Sequence, residues 1–145
     1  MRADAHISAG PLRGRCLCGA VTIEVGRHRA AVGACHCSRC RRWTGSALFA
    51  FDTEELTWEG PVKRWRHEIA ERAFCADCGS LLWLKDFDGP WEPQVGLFDG
   101  AADYPLISEI YTDRAFASVR LAGDHVRKTA ADYEAESRSV EAAPE

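Results

Sequence analysis

The sequence predicts a mainly β protein, built of small antiparallel sheets with a short helix near its end. Three features support that fold class. Short apolar runs recur along the chain, separated by Gly-Pro and Gly-rich turns. Helical 3.6-residue periodicity is weak before Asp124. All 7 cysteines sit in short motifs, where metal cross-links can tie small sheets together.

Length and charge narrow the function classes. At 145 residues the chain has the size of one domain, with enough length for a single core. A net charge of −4 and a pI near 5.7 argue against a nucleic-acid partner, which needs a basic face. Residues 1–12 lack the apolar centre of a secretory signal. No apolar run approaches the roughly 20 residues that span a bilayer, so no membrane partner is expected. The expected compartment is the cytoplasm, where thiols stay reduced and clustered cysteines read as metal or redox sites.

Taken in order, residues 1–13 read as a loose tail ending near the Gly10-Pro11 turn. Residues 14–123 form the expected single β domain, and residues 124–145 a C-terminal helix and tail, partly disordered. Ala20 to Val25 alternates apolar and polar side chains, as a half-buried strand does, and 26–33 is a polar connection. After the cysteines of 35–40, taken as a loop, Ser46 to Phe51 is a short buried strand. Leu56 to Trp58, Val62 to His67 and Glu71 to Phe74 are further strands, with Gly60-Pro61 turning between the first two. Leu81 to Leu84, Gln94 to Phe98, Leu106 to Tyr111 and Ala115 to Leu121 complete the set. One helix is expected within Asp124 to Ser139. The Ala/Glu/Ser-rich end from Glu134 reads as solvated.

The cysteines fall into a pair, Cys16 and Cys18, a triplet, Cys35, Cys37 and Cys40, and a second pair, Cys75 and Cys78. Thiolate-rich sites favour zinc or iron–sulfur clusters, and these spacings do not match the usual ferredoxin runs. Structural zinc is commonly held by two close pairs. Cys16, Cys18, Cys75 and Cys78 fit that need, and Gly19 and Gly79 let the chain turn behind each second ligand. Cys35, Cys37 and Cys40 then remain, and three protein ligands leave a fourth position for water or substrate. An open site rich in thiolate suits activation of an incoming thiol better than hydrolysis. The spacing leaves alternatives: the triplet can close by recruiting His36 or His67, or the cysteines can be inert and buried.

Three segments resemble the glutathione-dependent formaldehyde-activating enzyme family: Gly14-x-Cys16-x-Cys18-Gly19-Ala20-Val21, Cys35-His36-Cys37-Ser38-x-Cys40-Arg41 with Gly45-Ser46, and Phe74-Cys75-x-x-Cys78-Gly79-Ser80. Later segments around Gly96–Asp99 and Ile110–Arg114 fit the family's ending. The resemblance implies a β-tent of small sheets holding two zinc ions. It assigns Cys16, Cys18, Cys75 and Cys78 to a structural zinc. Cys35, Cys37 and Cys40 become ligands of a catalytic zinc; an open three-cysteine site can lose its metal and its thiols then oxidise. It also implies carbon–sulfur lyase chemistry, joining glutathione and formaldehyde into S-(hydroxymethyl)glutathione. The family more often has a histidine where Glu109 stands.

Arg41, Trp43, Gly45 and Ser46 are the expected substrate-binding residues. Arginines beside the cluster can steer glutathione carboxylates or offset the thiolate field. Trp43 can wall a pocket or fill a core. The Ser46 hydroxyl or backbone N–H groups of the Cys37–Cys40 turn can meet a developing oxyanion. His36 is expected to point away from the metal, and Tyr111 and Asp113 to border the pocket by family analogy. The alternative function is a non-catalytic zinc module for protein interaction.

Overall fold

The computed structural model describes residues 8–141. The described chain forms two compact units, one from residues 8–31 and 50–104, the other from 32–49 and 105–141. The fold is mainly β, in small sheets, as expected. Among the described residues no helix is long and apolar enough to cross a membrane.

In the first unit, β1 (Ser8–Ala9) pairs with β4 (His28–Arg29). An antiparallel sheet joins β2 (Leu12–Arg15), β3 (Thr22–Val25) and β7 (Leu56–Glu59), with β3 central. A second antiparallel sheet orders β11 (Trp91–Pro93), β10 (Leu81–Asp86), β9 (Ala70–Cys75) and β8 (Val62–Arg66). The alternation in β3 works as read: Ile23 and Val25 are buried while Glu24 faces solvent. With Val21, Phe51, Leu82, Trp83 and Phe98 they form the core. Aromatic rings set its packing, with Phe51 edge-on to Phe98 at 5.1 Å and Trp58 at 4.9 Å from Trp83. Glu71 is buried in β9, where its carboxylate accepts the Trp83 indole N–H at 3.0 Å and meets Arg66 at 3.3 Å. Those partners offset the cost of burying its charge.

The second unit contains β5 (Val32–Cys35), α1 (Ser38–Thr44), the first two residues of β6 (Leu48–Ala50), β12 (Leu106–Ile110), β13 (Val126–Lys128) and α2 (Ala130–Glu136). Its sheet runs β13-β12-β5-β6. Here β12 lies parallel to both neighbours, with Ile110 opposite Cys35 and Glu109 opposite both Ala34 and Arg127. Thr129 and Asp132 open α2 with a capping box, each side chain bonding the other's backbone N–H.

Several expectations change. The stretch after Cys37 is not loop: α1 starts there. Gln94–Phe98 is not a strand but carries a 3-10 turn at Val95–Leu97, followed by another at Asp99–Ala101. Ala115–Leu121 forms no regular element. The helix placed within Asp124–Ser139 gives its first residues to β13 and keeps only Ala130–Glu136. The stretch read as a tail contributes β1 and opens β2, while residues 1–7 of that tail and 142–145 of the C-terminal one lie outside the described residues.

Candidate functional site

Two cysteine clusters stand ready for metal. The first lies in the first unit, on two knuckles with a shared design. Cys16 closes the end of the β2 segment, its N–H bonded to the Val21 carbonyl at 3.0 Å, and Cys75 ends β9, its N–H bonded to the Ser80 carbonyl at 2.9 Å. Gly19 and Gly79 take φ of +82° and +79°, the left-handed backbone that glycine adopts without a Cβ penalty. The turns aim backbone N–H groups at sulfur: Val21 to Cys16 at 3.3 Å, Ala20 to Cys18 at 3.5 Å, Cys78 to Cys75 at 3.5 Å.

All four sulfurs lie within 4.8 Å of one another. Zn–S bonds of about 2.3 Å in a tetrahedron set S···S edges near 3.8 Å. Cys16–Cys18 at 3.6 Å and Cys18–Cys75 at 3.9 Å match that edge, far from a disulfide length. The thiols share protons unevenly. Hydrogen bonds from Ser80 bring Cys78 down to about 5. The Ala20 N–H lowers Cys18, but burial and the other three sulfurs together push it up to about 12.

The second cluster lies in the second unit. β5 delivers Cys35 at its end, Cys37 caps α1, and Cys40 follows in the first helical turn. The Cys37 sulfur accepts the Cys40 N–H at 3.4 Å, so the cap that starts the helix is also a candidate metal ligand. Spacing of three residues on a helix puts Cys37 and Cys40 on one side. The three sulfurs lie within 4.8 Å, and among the described residues no fourth Cys, His, Asp or Glu donor joins them. Bonds from Cys35 and Cys40 pull Cys37 down to about 3, while Cys37, Cys40 and burial raise Cys35 well above the usual thiol range. Neither cluster contains a disulfide.

His36, weighed as a fourth ligand, is outside the group. Its ring is fully buried, and Nε2 meets Glu109 Oε1 at 2.8 Å. The other Glu109 oxygen meets His125 Nε2 at 2.5 Å and Arg127 Nε at 3.5 Å. Burial raises the Glu109 carboxyl, but the bonds to His125 and His36 outweigh it and hold the group below the usual carboxylate range. His67, the other fourth-ligand candidate, stacks on Trp65 with ring centroids 4.8 Å apart.

The remaining expected site residues follow along α1 and its exit. The Arg41 guanidinium lies 4.6 Å from the centre of the Phe116 ring. Trp43 is half-buried. Gly45 ends α1 with φ +84°, its N–H bonded to the Arg41 carbonyl. The Ser46 N–H donates to Thr44 Oγ1 at 3.1 Å. Tyr111 and Asp113 serve packing contacts: the buried Tyr111 hydroxyl donates to Glu134 at 2.7 Å and accepts the Val140 N–H at 3.1 Å, and Asp113 accepts the Ala130 N–H at 2.8 Å. Glu141 accepts the Ser38 N–H at 3.0 Å and meets Arg114 at 2.9 Å, so this acidic end is pinned where composition suggested free solvation. His125 and Arg127 went unread because nothing local marks a contact between residues far apart in sequence.

The family described as glutathione-dependent formaldehyde-activating enzyme matches residues 11–114. An uncharacterized lyase of Schizosaccharomyces pombe is 28% identical over 106 residues, covering 69% of this chain and 77% of that protein. A Halomonas elongata protein, provisionally named a glutathione-dependent formaldehyde-activating enzyme, is 34% identical over 108 residues, covering 66% and 68%. A crystal structure of a Rhodobacter sphaeroides protein shares the fold with a TM-score of 0.52 at 24% identity, covering 66% of this chain and 99% of that one.

Proposed function

The chain belongs to the glutathione-dependent formaldehyde-activating enzyme family, and on that footing we propose that it is a zinc-dependent carbon–sulfur lyase. Its reaction joins glutathione, or a small thiol like it, to formaldehyde or a related aldehyde in the cytoplasm. The contrast between four convergent donors in one cluster and three in the other supports this assignment. Four thiolates complete a tetrahedron, whereas three leave a position for an exogenous ligand.

Cys16, Cys18, Cys75 and Cys78 would hold a structural zinc whose binding energy adds to folding energy. Cys35, Cys37 and Cys40 would hold the catalytic one. Zinc bound there supplies a vacancy at which an incoming thiol loses its proton near neutral pH. In the addition, a sulfur–carbon bond forms, the carbonyl π pair moves to oxygen, and that oxygen takes up the proton given by the thiol. The reverse direction breaks the same bond.

The protein's own contribution is position and donors. The Cys40 and Arg39 N–H groups are committed to the Cys37 sulfur and the Ser38 N–H to Glu141. We therefore assign the donor to the developing oxyanion to the Ser46 hydroxyl rather than to those amides. Arg41, Trp43 and Gly45 are assigned to the substrate side, with Arg41 as the charge for a substrate carboxylate.

Metal content tests the assignment. Protein purified under reducing conditions is expected to hold two zinc ions per chain, and Cys37→Ser to hold one while remaining folded. Unfolding of Cys37→Ser on loss of that metal would make the second site structural and overturn the enzyme reading.

A further inference from the structure

We propose that Glu109 is a positioning residue for the three-cysteine site, acting through His36 and itself anchored by His125. His36 stands between two of the three sulfur donors, so the set of its ring fixes the peptide that carries both. That ring is fully buried, and among the described residues its Nδ1 has no hydrogen-bond partner. Glu109, at 2.8 Å from Nε2, is therefore what sets the ring's orientation.

Glu109 is well placed to act as a fixed post. It sits on β12 between two parallel neighbours, with Ala34 on one side and Arg127 on the other. The next residue, Ile110, lies opposite Cys35, and its carbonyl accepts the His36 N–H at 3.1 Å. Backbone and side chain thus grip His36 from the same strand. The second carboxylate oxygen is occupied by His125, whose side chain is 1% exposed, and by Arg127. With both oxygens engaged the carboxylate cannot rotate freely, and the His36 ring has one orientation available. Partners bonded directly to metal ligands typically change metal affinity about 10–100-fold when removed, and Glu109 acts one residue further out, so the low end of that range is expected. The inference rests on the reading of Cys35, Cys37 and Cys40 as a metal site and does not depend on the identity of the thiol or the aldehyde.

The test is zinc affinity measured by competition with a chromophoric chelator, using the four-cysteine cluster of the same chain as internal control. Glu109→Ala is expected to weaken the three-cysteine site about tenfold or more and to leave the other unchanged. Glu109→Gln keeps the reach but turns one acceptor oxygen into an N–H donor that cannot meet both His36 and the His125–Arg127 pair, so it is expected to weaken the same site by less than Glu109→Ala. Glu109→Asp keeps the charge but shortens the reach, and is expected to weaken the same site; it carries the test if the alanine variant does not fold. In a His36→Ala background, Glu109→Asp is expected to cost nothing further, because a residue that acts through another is silent in its absence. Full affinity in Glu109→Asp, equal loss at both clusters, or an additive loss beside His36→Ala overturns the proposal. A wild-type chain that takes no metal at the three-cysteine site overturns both this inference and the proposed function, whereas unaltered affinity in the variants overturns this inference alone.

Discussion

Gly60→Ala is expected to damage the four-cysteine cluster from outside it. Gly60 turns the chain between β7 and β8 at φ +109°, a backbone that L side chains rarely adopt. A Cβ built there lies 2.1 Å from the Ala20 carbonyl oxygen and 2.9 Å from Val21 Cα. Real Cβ atoms essentially never approach closer than 3.0 Å, so one backbone segment must move by close to an ångström. Neither neighbour is a flexible side-chain tip. Val21 is fully buried, gives its N–H to the Cys16 sulfur, and accepts the Cys16 N–H. Displacement of Ala20–Val21 therefore reaches the first knuckle directly. Backbone strain of this kind costs about 1–3 kcal/mol, and with the collision the expected loss is about 2–4 kcal/mol. Urea unfolding of the zinc-saturated protein measures that loss, and chelator competition should show weaker binding at the four-cysteine cluster with the three-cysteine site retained. A variant within about 0.5 kcal/mol of wild type, the usual range for a neutral surface change, would refute the reasoning.

Two further outcomes follow from the site chemistry. Cys18 is raised to about 12 and Cys35 well above the usual thiol range, so both carry protons at neutral pH that a metal must displace. Metal uptake is therefore expected to release protons, and affinity at both clusters to fall as pH drops from 8 to 6, by chelator competition in matched buffers. Affinity that does not vary with pH would show the ligands already deprotonated. Tyr111→Phe removes a donor to Glu134 and an acceptor for the Val140 N–H. It is expected to cost about 1–2 kcal/mol and to speed amide exchange at Val140, with slow exchange there counting against the contact.

The grouping of the cysteines into a set of four and a set of three was legible because its signals are local. Each knuckle needs only paired cysteines followed by a glycine, and both glycines take the positive φ that such a turn demands. Strand β3 was visible from its alternation, and β7, β8, β9, β10 and β12 as short segments between turn signals. Helix α1 was missed because its seven residues, SRCRRWT, are too few to show a period, and its N-cap is a cysteine rather than one of the usual capping residues. Gly45 was the readable sign of its end. Gln94–Phe98 was mistaken for a strand because a mostly apolar run without alternation does not distinguish a strand from a buried turn. The parallel pairing of β12 with β5 and the Glu109–His36 contact join residues some seventy positions apart, and no sequence period encodes such a pairing. Glu109 stood out only as a residue differing from the family's more frequent histidine.

The three-cysteine site is expected to accept an exogenous thiol. Cobalt(II) in place of zinc makes that visible, because thiolate-to-cobalt charge transfer absorbs in the near ultraviolet. Glutathione added to the cobalt-loaded protein is expected to raise that band saturably, and the same titration of Cys37→Ser to leave it unchanged. A wild-type spectrum unaltered by glutathione or any other small thiol would contradict the account.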